Sequence, residues 1–139
     1  MLIATPEYNS GIPAALKNAI DWASRAADGR PSVLYHKPIA LMGATPGPGG
    51  TIGAQRALRQ VLSSTDSYVL RTPEVLIARA FERFTADGTL HDEPTRQAVR
   101  TLVESLVAWT SQWRPRAAHD AAPPVVAEPT SARALAMAG

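Results

Sequence analysis

The segment Lys37–Ala44, reading KPIALMGA, limits most what this chain can become. It is a short apolar run with no polar face, bounded by Pro38 and by the glycine-rich loop Thr45–Thr51. A strand that is apolar on both faces needs cover on both. Parallel sheets with helices on either side supply that cover. After the loop, Ala54, Ala57, Leu58, Val61 and Leu62 repeat at the spacing of one helical face, and Thr51 stands where a side-chain N-cap belongs. A buried strand, a glycine turn and an amphipathic helix make half of a right-handed crossover.

The same alternation recurs on either side. Met1–Thr5 reads as a strand, and the turn-rich stretch Pro6–Gly11 follows it. Pro13 then opens a helix, because its fixed φ and missing N–H suit a first turn. Ile12, Leu16, Ala19, Ile20 and Ala23 form its apolar stripe, which fades near Asp28-Gly29. Downstream, Ser67–Leu70 reads as a third strand, and Val75–Phe81 as a fourth or as its continuation. Asp87-Gly88 marks a turn. A last helix starts around Asp92-Glu93-Pro94, with Val99, Leu102, Val103, Leu106 and Val107 on one face and Trp109 and Trp113 closing it. Helices are therefore predicted over 13–25, 52–63 and 94–112 in an open, parallel α/β sheet. Ligands of such sheets sit beyond the C-terminal strand ends. The loops in those places are Thr5–Ile12 and Ala44–Thr51.

Composition sets the limits of the folding unit. Hydrophobic residues make up 45% of the 139, enough for one domain. From Arg114 the sequence turns to Ala, Pro and small polar residues without a sustained period, so 114–139 is expected to be a disordered tail and 1–113 the domain. The net charge is only +2, and the arginines are scattered; this is a solvated surface, and no nucleic-acid partner is expected. With no cysteine there is neither a disulfide nor a thiolate metal site. No signal peptide or long apolar run is present, so a soluble cytoplasmic protein without a membrane partner is expected.

The chemistry-bearing candidates are few. Thr45-Pro46-Gly47-Pro48-Gly49-Gly50-Thr51 leads into a helix N-terminus, whose free N–H groups favour anions or carbonyl acceptors. It lacks the Gly-Lys-Ser/Thr of a phosphate-cradling Walker loop, and Ile52 stands where a dinucleotide fingerprint needs its third glycine. Taken alone, such a loop need do no more than turn the chain. Pro6-Glu7-Tyr8-Asn9 ends the first strand; by itself each residue reads as a turn or solvated position. Lys17, Asp21 and Arg25 follow at i, i+4 spacing and read as a charged helix face. Trp22 and Trp109 read as packing residues, with a subunit contact open to either. His36, His91 and His119 stand far apart without partners at ligand spacing, so no metal is expected. There is no G-x-S-x-G elbow and no carboxylate pair. A chain without its own reactive side chains points to cofactor chemistry.

ATPEYNSGIPAALKNAIDWASR, Ala4 to Arg25, carries a closer identification. It resembles the NADPH-dependent FMN reductase family, which includes quinone, azo-dye and chromate reductases. The family pattern is a strand, T-P-E-Y-N, and a proline-started helix L-K-N-A-I-D-W-x-S-R, here Thr5–Asn9, Pro13, Leu16–Trp22, Ser24 and Arg25. Lys37-Pro38 through Gln55, Leu58 and Arg59, and Asp87–Asp92, also match, so the resemblance covers about residues 2–113. It implies a flavodoxin-like parallel sheet of order 2-1-3-4-5, an FMN cofactor and NADPH or NADH as hydride donor. A quinone, azo compound, metal or flavin would accept the electrons, and relatives are commonly dimers or tetramers. Carried over, Pro6, Glu7, Tyr8, Asn9, Thr45 and Gly47 would line the isoalloxazine, with no catalytic side chain required. The chain departs from the pattern in two ways. Ser10 and Gly11 stand exchanged, which puts Gly11 at the cap of the first helix at a cost of about a few tenths of a kcal/mol. Strands 1 and 2, helix 1 and the G-S-x-R-x-x-S phosphate loop of the family have no counterpart in the sequence, so an incomplete three-layer sandwich is expected. A truncated enzyme or a non-catalytic remnant serving as an interaction module both fit that departure.

Overall fold

The computed structural model describes residues 1–119. In it β2 (Pro38–Ala44) is central and every strand pairing is parallel. β1 (Leu2–Ala4) lies along one edge, with Leu2, Ile3 and Ala4 opposite Ala40, Leu41 and Met42. On the other edge β3 (Tyr68–Val69) sits opposite Pro38 and Ile39, and β4 (Val75–Ile77) opposite Met42, Gly43 and Ala44. β3 and β4 thus flank successive halves of β2. Of the two sequence readings, the continuation is the one observed: one strand, interrupted between Leu70 and Glu74.

On either side of the interruption, α2 (Ile52–Ser63) donates side-chain hydrogen bonds to backbone carbonyls. Arg59 Nη1 donates to Leu70 O at 2.8 Å, and Gln55 Nε2 donates to Val75 O at 3.0 Å. These side chains stand at i and i+4, one above the other on the helix.

The alternation of β2 sorts the core into two layers. Ile39 and Leu41 pack with Ile20 of α1 (Ala14–Ala23) and with Leu58 and Leu62 of α2. Ala40, with Met42 and Ala44 alongside, faces Leu70, Val75, Ile77 and Leu102 of α3 (Glu93–His119). The result is a three-layer α/β/α arrangement, as the doubly apolar strand requires. Along α3 the packed seam is Val99, Leu102, Leu106 and Trp109. Val103 and Val107, expected on that seam, are instead 41% and 62% exposed on its flank. Ala19 and Trp22 also face outward from α1, and Trp22, expected to pack, is 75% exposed. Two residues from the buried Ile20, it lies on the opposite side of a 3.6-residue turn.

Both expected N-caps prove different. α1 follows Pro13, not Gly11, in the cap position. Thr51 adopts a left-handed conformation at φ 67 and makes no side-chain cap bond. α3 continues to His119, past the boundary at Trp113 drawn from composition. Residues 120–139, where most of the expected tail falls, lie outside the described residues. At Trp109 and Trp113 helix α3 is held by rings: Tyr35, His36, Tyr68 and Trp113 stack in succession, and Trp109 Nε1 donates to Tyr68 O at 3.2 Å. Among the described residues, no helix is long and apolar enough to cross a membrane.

The start of α3 is governed by Asp92. Its Oδ2 accepts from the Thr95 hydroxyl at 2.5 Å and the Thr95 N–H at 3.0 Å, while Arg83 Nη1 donates to Oδ1 at 2.6 Å. These bonds, the Thr95 hydroxyl first, hold its carboxyl down from the usual 3.8 to about 2. A value lowered by folding contributes stability that is complete above 3.8 and lost as pH falls through about 2. Urea unfolding from neutral to acid pH is expected to show the native chain losing stability relative to Asp92→Asn across that window. Parallel curves would contradict the capping role.

Candidate functional site

Near the C-terminal end of β2, the buried Gly43 is a gap through which both neighbouring loops pass. A Cβ at Gly43 would collide with the Thr51 hydroxyl and with the carbonyl oxygen of Thr5. Thr5 follows β1 directly, and Thr51 directly precedes α2. The two loops therefore meet over the central strand because it carries no side chain there. Thr5 N donates to Met42 O at 3.0 Å, which extends the β1–β2 ladder to this point.

Beneath the loops lies a small buried polar group. Thr5, Thr51 and Gln55 are the buried polar residues among those described, at 2%, 0% and 2% exposure. Gln55 Nε2 donates to Thr51 Oγ1 at 3.2 Å as well as to Val75 O, so one side chain ties the glycine loop to β4. Gly50, at φ 58 in the glycine loop, lies against the same strand; a Cβ there would stand 2.7 Å from the Leu76 carbonyl carbon.

Above this base the expected site residues gather at one end of the sheet. The first loop is closed by a reciprocal pair, Tyr8 N to Gly11 O at 3.0 Å and Gly11 N to Tyr8 O at 2.9 Å. Asn9 and Ser10 turn through positive φ of 49 and 60 between them. Pro6, Tyr8 and Asn9 are exposed. Glu7 is half-buried and turns toward α2, where its Oε2 accepts the Ala54 N–H at 2.9 Å. In the second loop Thr45 N donates to Ile77 O at 2.9 Å, and Thr45 Oγ1 accepts from Gly47 N at 3.3 Å. Gly47 leaves open backbone: a Cβ there would meet nothing nearer than Thr45 Oγ1 at 3.8 Å.

A third loop belongs to the same end and was not anticipated. Arg79 N donates to Gly47 O at 3.0 Å and Ala80 N to Thr45 O at 2.9 Å, stapling the turn Ala80–Glu82 to the glycine loop. Arg79 sits at φ 49, and Phe81 is 83% exposed. Reading VLIARAF as one strand hid this turn. The pointer in the sequence was a bulky apolar side chain that the core had no use for. Among the described residues no group of His, Cys, Asp or Glu could hold a metal. A separate polar cavity of about 340 Å³ lies between the C-terminal ends of α1 and α2, at Ser24 and Ser64, away from the loops.

Gly43 and Gly47 should respond oppositely to alanine. Overpacking against the Thr5 backbone puts Gly43→Ala near the upper end of the usual 1–3 kcal/mol, about 3 kcal/mol. Gly47→Ala, in open space, is expected to change stability by less than about 0.5 kcal/mol. Denaturant midpoints measure both, and equal costs would mean that the crossing at Gly43 is not tight.

Comparisons with known proteins bear on the fold and the family. Residues 1–82 match the family described as NADPH-dependent FMN reductase. The chain is 42% identical over 114 residues to an NAD(P)H-dependent FMN reductase of Pseudomonas aeruginosa, covering 82% of this chain and 60% of that protein. It is 40% identical over 114 residues to a 2-hydroxy-1,4-benzoquinone reductase of a Burkholderia species, covering 82% and 61%. Among solved structures, it superposes with a TM-score of 0.69 on FerB, a flavoenzyme NAD(P)H:(acceptor) oxidoreductase of Paracoccus denitrificans. The two are 37% identical, over 80% of this chain and 60% of FerB. The chain thus spans about 60% of the length of these relatives. With its parallel sheet, its T-P-E-Y-N loop and its glycine loop in place, the chain belongs to the NADPH-dependent FMN reductase family.

Proposed function

We propose that this chain carries the flavin-ring site of a cytoplasmic, FMN-dependent NAD(P)H oxidoreductase that reduces a small-molecule acceptor such as a quinone. The supporting observation is the steric space left by Gly47 beside the T-P-E-Y-N loop, at the sheet end where α/β proteins take ligands. A flat ring needs bare backbone on which to lie, and Gly47 leaves that space. Pro6, Tyr8, Asn9, Thr45 and Gly47 are the residues that would hold the ring. When bound, FMN supplies the acceptance of a hydride from the nicotinamide and its delivery to the acceptor. The chain's contribution is placement: hydrogen-bonded loops, a buried polar base and neighbouring backbone groups. The order β1, β2, then β3 with β4, corresponds to strands 3, 4 and 5 of a flavodoxin-like sheet.

Self-association of this polypeptide is part of this reading. Met1 O accepts from Ala40 N and Thr5 N donates to Met42 O, so the alternating ladder turns the backbone groups of Leu2 and Ala4 away from β2. Among the described residues no strand pairs with that edge, and in this polypeptide taken by itself such an edge invites another strand. Light scattering at about 30 µM, a concentration at which affinities near 6 kcal/mol become visible, is expected to show self-association. A uniform monomer would overturn this part of the reading.

Flavin titration tests the central claim. The site loops offer a ring platform, and Glu7 already occupies the N-terminus of α2. The chain is therefore expected to bind riboflavin and FMN with affinities within about tenfold of each other, a difference below about 1.4 kcal/mol. Tight preference for FMN would place phosphate donors among these residues. Binding of neither flavin at about 100 µM would sink the flavin reading and favour a non-catalytic interaction module. With flavin bound, NAD(P)H is expected to bleach its visible absorbance and a quinone to restore it.

A further inference from the structure

The N-terminus of α2 lacks the cap that its own sequence offers. Thr51 precedes the helix, but its left-handed backbone turns its hydroxyl inward to Gln55. The N–H of Ala54, the third helical residue, is one of the donors that a helix start leaves without a partner in its own helix. An N-cap side chain ordinarily takes it. Here the acceptor is Glu7, from the other loop, 47 residues away in sequence, at 2.9 Å.

Gly53 shows that the space is shaped for this contact. A Cβ at Gly53 would lie 3.0 Å from Glu7 Oε2 and 3.0 Å from Ser10 O, tighter than ordinary contact. A side chain there would press on both the carboxylate and the backbone of the first loop. The helix start carries partial positive charge, so a carboxylate is also the electrostatically favoured occupant.

We infer that Glu7 is a positioning residue: it caps α2 from the T-P-E-Y-N loop and so fixes the spacing between the two loops that hold the ring. The inference builds on the flavin reading, and it removes Glu7 from the ring-lining set that the family resemblance implies. It also gives the α2 N-terminus an acidic occupant, so an anionic group of a ligand is not taken there.

Amide hydrogen exchange on the full chain, followed by NMR, tests the cap without any ligand. In Glu7→Ala the Ala54 N–H is expected to exchange at least about tenfold faster, with Leu58 and Leu62 unchanged as a report of an intact helix; a hydrogen bond to a charged group accounts for a factor of that size. Glu7→Gln keeps a neutral acceptor and is expected to speed exchange by a smaller factor; it carries the test if the alanine variant does not fold. Native exchange at Ala54 in whichever variant folds would overturn the inference. So would a riboflavin affinity more than tenfold weaker in Glu7→Gln while Ala54 stays protected, because the carboxylate would then be touching the ring. If the exchange result holds and no flavin binds, the flavin reading fails and the cap stands.

Discussion

The absence of one side chain on the central strand governs the end of the sheet where the loops meet. Gly43 belongs to the strand that every other strand pairs with, directly or through its continuation. Any Cβ there would strike the Thr5 backbone on one side and the Thr51 hydroxyl on the other. A larger residue would push the two loops apart, and with them the start of α2. Strand, loop and helix are therefore coupled through steric contact, which falls off within a fraction of an ångström. This differs from the rest of the core, where Ile39, Leu41, Leu58 and Leu62 fill volume and tolerate exchange among similar shapes.

Polar contacts then set what the steric contact leaves free. Gln55 and Arg59 satisfy carbonyls at the break between β3 and β4, so α2 is pinned to the interrupted strand by directed bonds as well as by packing. Glu7 pins the same helix to the first loop. One helix thus registers all three loops at the C-terminal end of the sheet, because Arg79 and Ala80 bond back to the glycine loop that leads into it. The polar bonds are few, but each has a backbone group as donor or acceptor. That makes the end of the sheet a preorganised surface.

The division between what was legible in the sequence and what was not follows this physics. The doubly apolar run Pro38–Ala44 dictated a central strand with helices on both faces, and those layers are present. The spacing in Ala54–Leu62 gave α2 its bounds, 52–63. Periodicity could not tell which of two adjacent apolar stripes on α3 would find a partner, so Val103 and Val107 were placed inward while they face out. Nor could it see that Thr51 would spend its hydroxyl on Gln55, since that choice depends on a left-handed backbone set by the crossing at Gly43. The turn at Arg79–Glu82 escaped because VLIARAF is apolar enough to read as strand, and its bend depends on bonds to a loop more than thirty positions earlier. The T-P-E-Y-N and glycine segments were legible as loops at one end of the sheet, yet the partner of Glu7 was not, since its contact spans 47 residues.

These contacts also bear on how the proposed flavin site would work with unreactive side chains. Hydride transfer needs a donor and an acceptor held at the right separation, and a protein contributes most by fixing that geometry. A loop that pairs with itself, as Tyr8 and Gly11 do, and whose acid grips a neighbouring helix has little freedom left to lose on binding. Ordering costs paid during folding are not paid again when a ligand arrives. The energy that folds the loops over Gly43 and the precision with which they can present bare backbone to a flat ring therefore have one source. A substitution that loosens the crossing would raise the ordering cost of every ligand that uses both loops, even if each contacting residue were kept.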